Sequence, residues 1–208
     1  MHSIPPIPTR PRFPEHEARL PWLARLLDAL GIVDAGVEAS LAAAQNAGRL
    51  VACGPGCGHC CRRQLIPVTS LEIAGLSWYC LHQLKDEARR RVKRALVKKT
   101  PAGCRFLLDG RCAVYPLRPI ACRRFIVFDI PCGPDEDVWS TRQRDVLIPL
   151  PEHKPAADRL MLPYYGITDA SALEAALDRD YLRSVSQLLF ACTWKPLYEA
   201  MAQADAAR

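Results

Sequence analysis

The sequence has no apolar run approaching the 18 or so residues needed to cross a bilayer, so a membrane-spanning helix is excluded. No apolar leader segment follows a basic start, and the expectation is a soluble, cytoplasmic protein. Internal repeats are lacking, and so are a Walker loop, a dinucleotide fingerprint and a Ser-His-Asp grouping, which leaves no specific enzymatic reaction to assign.

Cysteine, by contrast, occurs ten times. A chain of 208 residues buries a sizeable hydrophobic core without disulfide staples, so the cysteines are not needed merely to hold it together. In a reducing compartment clustered thiols point to metal or redox chemistry. The formal charge of +6 counts every cysteine as neutral, and bound thiolates would subtract from it. The basic balance therefore does not demand a nucleic-acid partner.

The pattern predicts a mainly α fold, with helices packed around a small, irregular, cysteine-rich metal-binding core that includes a short β-hairpin. Residues 1–16 read as a proline-rich arm, 17–150 as helices plus the cysteine domain, and 151–208 as a helical extension. Leu20, Leu23, Leu27 and Leu30 predict a helix opened by Pro21 and stopped at Gly31. Asp34 is then expected to cap a second helix toward Gly48. Thr69 and Glu72 form a capping box, with Val68 and Ile73 as its hydrophobic staple, for a third helix reaching about Leu84. A fourth, strongly basic helix is expected from Asp86 to Pro101. Ser171 and Glu174 suggest another capping box, and Tyr181, Val185, Leu188, Leu189 and Cys192 follow one helical face.

Cys80 repeats at helical spacing with Ile73 and Leu76, and Cys192 lies on the face just named, so both read as small buried hydrophobes. The remaining eight, Cys53, Cys57, Cys60, Cys61, Cys104, Cys112, Cys122 and Cys132, fall among Gly, Pro and Arg and are the candidate metal ligands. Four of them occupy nine residues, Cys53-Gly-Pro-Gly-Cys57-Gly-His-Cys60-Cys61, where glycines let a loop wrap around an ion. Adjacent Cys60 and Cys61 diverge in direction, which suits a cluster or two metals better than one tetrahedral ion, or else leaves one of the two thiols behind the ligands or facing a substrate. His59 lies in the same loop, but its imidazole competes with abundant sulfur.

Asp109-Gly110 marks a hairpin between Cys104 and Cys112. A plain two-residue turn would put those sulfurs on opposite faces, so a three-residue loop, Leu108 to Gly110, with a bulge at Gly110 is expected. Arg118, Arg123 and Arg124 flank Cys122 and are placed either to offset thiolate charge or to hydrogen-bond a carboxylate. Cofactor and partner follow from the donors: an iron–sulfur cluster, slightly favoured by the surplus of thiols, or zinc. Arg89, Arg90, Arg91, Lys93, Arg94, Lys98 and Lys99 form a self-repelling basic face that invites an acidic partner. The absence of interleaved aromatics weighs against nucleic acid there.

These motifs resemble the YkgJ-type cysteine-cluster family of zinc- or iron-chelating proteins with a CxxCxxCC motif. Cys53, Cys57, Cys60 and Cys61 fill that motif, with three residues in place of two after Cys53. The stretch CRFLLDGRCAVYPLRPIACRRF is similar to the family's second half and supplies Cys104, Cys112 and Cys122. A similar motif occurs in flagellin lysine methylases, so the resemblance, which spans residues 53 to 125, is compatible with an enzyme without implying one.

Overall fold

Proline starts the first two helices, where its missing N–H is one of the donors that has no intrahelical partner anyway. In the computed structural model, which describes residues 10–54, 56–63, 65–98, 103–134 and 136–207, helix α1 (Pro14–Arg19) leads at once into α2 (Pro21–Asn46). Prolines 5, 6 and 8 of the expected arm lie outside the described residues. Leu23, Leu26, Leu27, Leu30, Val33, Val37 and Leu41 recur on one face of α2 and are all buried.

The break expected at Gly31 does not occur, because α2 runs straight through it. An interior glycine costs about 1 kcal/mol in a helix, and burial of the flanking leucines outweighs that. The glycine instead admits the Arg10 side chain, whose Cβ would lie 3.3 Å from a Cβ at position 31. Arg10 is fixed there by Glu17 (2.8 Å) and Asp28 (2.6 Å). Asp34 is no cap; it is a buried charge in the helix interior.

Helix α3 (His59–Arg63) carries the second half of the first cysteine motif. After the two-residue strand β1 (Pro67–Val68), α4 (Ser70–His82) starts as expected: Thr69 accepts from the Glu72 amide and Glu72 accepts from the Thr69 amide. Val68 and Ile73 join one apolar cluster, as the staple requires. Helix α5 (Asp86–Leu96) ends short of Pro101, which lies outside the described residues.

The hairpin β2 (Leu107–Leu108) and β3 (Arg111–Cys112) pairs Leu108 with Arg111, so the loop is two residues and not three. Asp109 (φ 50°) and Gly110 (φ 75°) both have positive φ, the signature of a type I′ turn that matches the twist of the strands. Helices α6 (Ile120–Arg124) and α7 (Val138–Thr141) are single turns in an otherwise irregular segment.

Helix α8 (His153–Met161) packs along α2, and α9 (Ala170–Asp178) is capped by Asp169, which accepts from the Ala172 amide, so the Ser171 box is not formed. The long helical face expected from Tyr181 to Cys192 is broken. Helix α10 (Tyr181–Ser184) stops, and β4 (Gln187–Leu188) pairs antiparallel with β1. Tertiary pairing with β1 overrides local periodicity here. Helix α11 (Lys195–Ala206) closes against α4 and α5.

Two large apolar clusters result. One centres on α2 with Trp78, Leu117 and Met161, and the other on Leu76, Val92, Phe106, Val114, Trp194 and Met201. Cys80 and Cys192 are buried in the second, as small hydrophobes should be. A smaller cluster of Val127, Val138 and Val146 supports the irregular segment. No helix among the described residues is long and apolar enough to cross a membrane.

Candidate metal centre

The first cysteine loop is held by a backbone seam. Ala52 donates to the Val127 carbonyl (2.8 Å), Val51 bridges Phe128, and the Val127 amide donates to Cys53 Sγ at 3.2 Å. An N–H aimed at sulfur favours the thiolate. Further along, the Cys57 amide donates to the Gly54 carbonyl (3.1 Å), and α3 presents Cys60 and Cys61.

The second cysteine group is tied directly to the first: the Cys104 amide donates to the Cys61 carbonyl at 2.8 Å. Gly103 permits that approach, since a Cβ there would stand 3.2 Å from the same carbonyl oxygen. Cys104 and Cys112 are brought to one apolar cluster by a route the sequence pattern did not suggest. Leu107 donates back to the Cys104 carbonyl (3.0 Å), so Cys104 to Leu107 forms a turn and not a strand extension. Alternation of faces therefore does not apply to Cys104. Both sulfurs enter the apolar cluster that also contains Cys122.

Backbone amides converge on these thiols as well, Phe106 and Leu107 on Cys104 and Val114 on Cys112. Arg118 and Arg123 act on Cys112 in the same direction, and Arg118 also on Cys122. Arg118 lies over the Tyr115 ring at 4.0 Å. Arg123 is fully buried and donates to the carbonyls of Pro116 (2.5 Å) and Arg118 (2.9 Å) and to the Asp34 carboxylate. Arg118 and Arg123 thus act on the thiols through space while their guanidinium groups engage Tyr115 and Asp34, and Arg124 lines a small cavity with His153 and Lys154.

Burial is the largest influence on most of these thiols. It pushes Cys53, Cys104 and Cys132 up to about 11 and Cys122 well above its ordinary value. Neighbouring cysteines add to the rise: Cys60 and Cys112 on Cys104, and Cys53, Cys57 and Cys60 on Cys132. Cys60 is raised first by its hydrogen bond with Cys61 and then by crowding, although the residue itself reaches solvent. Cys53, Cys60, Cys104, Cys112, Cys122 and Cys132 are thus all held toward the neutral thiol, and a cation that deprotonates its ligands would reverse that balance.

Among the described residues, no three Cys, His, Asp or Glu side chains are drawn to ligating distance of a common point. The donor set nevertheless suits a soft metal: all ten cysteines are unbridged, amides point at Cys53, Cys104 and Cys112, and buried His59 Nδ1 has no hydrogen-bond partner among the described residues. Cys132 sits in a loop clamped by Glu136 and Arg142, where Gly133 donates to Glu136 (2.8 Å) and Arg142 donates to the Ile130 carbonyl (3.2 Å).

Two functional side chains escaped the sequence reading. Asp34 was legible only as a charge between Leu30 and Val37 on an apolar face. Glu72 reaches beyond its own helix to accept from the Ile120 amide (2.8 Å), which fixes the start of α6 two residues before Cys122. Nothing in sequence spacing signals that bond.

The basic face of α5 finds its acids within the chain. Arg89 is buried against Asp205 (2.7 Å) and the carbonyls of Cys80, Leu81 and Met201. Lys93 also pairs with Asp205, Arg90 and Arg94 with Glu87, and Arg91 with Asp109. Lys99 lies outside the described residues.

Residues 52–143 match the family model described as "CxxCxxCC: Putative zinc- or iron-chelating domain", a span that runs beyond Cys122 and takes in Cys132. No curated protein and no solved structure matches the chain. Over residues 52–143 the chain is thus similar to a family described as chelating zinc or iron.

Proposed function

We propose that the protein is a cysteine-ligated metalloprotein whose thiolates hold an iron–sulfur cluster or zinc, in a redox, metal-handling or structural role within a reducing compartment. One observation carries this reading. Cys104, Cys112 and Cys122 share an apolar cluster, each is influenced by Cys60, and backbone amides are aimed at two of the three sulfurs. Amides aimed at buried sulfurs stabilise thiolate charge and tune a metal's potential, whereas inert core cysteines such as Cys80 require none.

Thiolate-only donors suit both zinc and iron–sulfur. The surplus over four sulfurs and the adjacent Cys60 and Cys61 favour iron–sulfur.

Anaerobic purification followed by metal analysis, acid-labile sulfide and a visible spectrum tests the proposal. Iron with equimolar sulfide and absorption near about 400 nm identifies a cluster. Zinc without sulfide or colour identifies the alternative metal. A chain that binds neither, even when refolded with each, overturns the reading.

A further inference from the structure

We propose that α1 is an acid-released clasp on α4: His16 holds the indole of Trp78 only while its Nδ1 carries no proton, and protonation of His16 and His82 opens the contact.

The geometry fixes the proton. Trp78 Nε1, which can only donate, points at His16 Nδ1 at 3.4 Å, so that nitrogen presents its lone pair and the ring is the neutral tautomer protonated at Nε2. A proton on Nδ1 would set two N–H groups against each other. His16 also lies edge-on to the Trp78 ring, with centroids 5.1 Å apart at 75°, and Phe13, the residue before α1, does the same at 4.8 Å and 68°. The indole beneath them is 4% exposed and belongs to the cluster centred on α2, with Phe13 packed against it. The α1 segment is therefore part of its cover.

His82, the last residue of α4, stands with its ring 5.0 Å from that of His16 and 5.9 Å from Trp78. Two imidazolium rings at that separation repel, and Arg89 of α5 adds its charge, although it is paired with Asp205 of α11. Partial burial, His16 and Arg89 together hold His82 below the ordinary 6.5. The closed contact thus binds fewer protons than the open one, so it is firm above 6.5 and weakens as pH falls through that value. Neighbouring acids do not offset the repulsion. Glu17 of α1 and Asp28 of α2 are both taken by Arg10, Arg12 also acts on Glu17, and burial raises the Tyr79 phenol, which stays neutral. Carboxylates titrate lower than imidazole, so Arg10 remains tied to α2 while the contact between α1 and α4 opens. The opening is local and is not unfolding.

Indole nitrogen-15 resonances of the four tryptophans test the clasp, with Trp78 assigned through Trp78→Phe. Between pH 7.5 and pH 5, the hydrogen-exchange protection factor of the Trp78 indole should fall by about tenfold, the worth of one hydrogen bond, while circular dichroism stays native. His16→Asn keeps an acceptor that does not titrate in this range, and its Trp78 protection should be level. His82→Gln should make the fall shallower, because one of the two titrating rings is gone. Level protection in the unaltered chain, an undiminished fall in His16→Asn, or a parallel fall at all four indoles with loss of helical signal overturns the proposal. If His16→Asn does not fold, the unaltered chain and His82→Gln still decide.

Discussion

Arg123 and Asp34 form an ion pair across α2 and α6, with the guanidinium fully buried and the carboxylate 5% exposed. Burial lowers the arginine and raises the aspartate from their ordinary values, each opposed by the partner's charge. Removing one member of such a pair leaves an uncompensated charge, at a cost of about 3–5 kcal/mol. Arg123→Ala should therefore lower the unfolding free energy by that amount in urea, and the double change Asp34→Leu, Arg123→Met should recover much of it. A loss below about 1 kcal/mol in Arg123→Ala would show that the pair does not anchor α6.

Glu72 serves two helices, accepting from Thr69 at the start of α4 and from Ile120 at the start of α6. Thr69→Ala should remove only a cap, about 1 kcal/mol. Glu72→Ala also orphans the Ile120 amide, adding about 1–3 kcal/mol, and should weaken metal binding because Cys122 follows two residues later. Equal metal affinity in the two variants, measured by competition with a chelator, would separate Glu72 from the site.

Gly110 turns the hairpin with φ at 75°, and a Cβ there would stand 3.0 Å from the Gly56 carbonyl oxygen. Gly110→Ala thus meets both the left-handed penalty of about 1–2 kcal/mol and a clash with the loop carrying Cys57. Gly48 shares the positive φ but has open space around it. The two alanine variants should lose similar backbone energy, and only Gly110→Ala should weaken metal binding. Similar metal affinities would show that the Gly56 contact is irrelevant to the cysteines.

The capping box at Thr69, the hairpin at Asp109-Gly110 and the burial of Cys80 were legible because each is set by residues within a few positions, whereas Cys192 is buried although the helical face from which that was read does not form. The eight candidate thiols stood out by the Gly, Pro and Arg around them, although Cys60, Cys61 and Cys122 lie on the short helices α3 and α6. What could not be read depended on distant partners. Gly31 stays helical beneath Arg10, Asp34 awaits Arg123, and the Tyr181 segment bends to place Gln187 and Leu188 beside β1. The turn at Cys104 replaced the expected bulge because backbone bonds to Cys61 and from Leu107 draw that residue out of the strand.

Glu136 is held by Arg142 and the Gly133 amide, which lower its carboxyl from 4.5 to about 2. A depressed carboxyl contributes stability that is present above 4.5 and lost as pH falls through about 2. In the metal-free chain, a carbon-detected titration should place the Glu136 midpoint near about 2, with the Gly133 amide moving alongside it. A midpoint near the ordinary 4.5 would mean that the clamp beside Cys132 does not form in solution.

Metal removal should destabilise the whole domain and not merely its loops. The segment from Cys53 to Cys61 is separated in sequence from the segment from Cys104 to Cys132, and single backbone bonds such as Cys104 to Cys61 and Ala52 to Val127 join them directly. A metal bound by sulfurs of both segments closes that long loop, and its binding free energy adds to folding. Metal at about 1,000 times its dissociation constant contributes about 4 kcal/mol. For a chain of this size each kcal/mol moves the midpoint by about 2–4 °C, so stripping the metal should lower the melting temperature by about 8–16 °C. The same treatment of a chain lacking Cys104, Cys112, Cys122 and Cys132 together should have a much smaller effect, because no candidate thiol of the second segment remains to ligate across. A melt unchanged by complete metal removal would mean that the cysteines hold metal on a fold that is already complete without it.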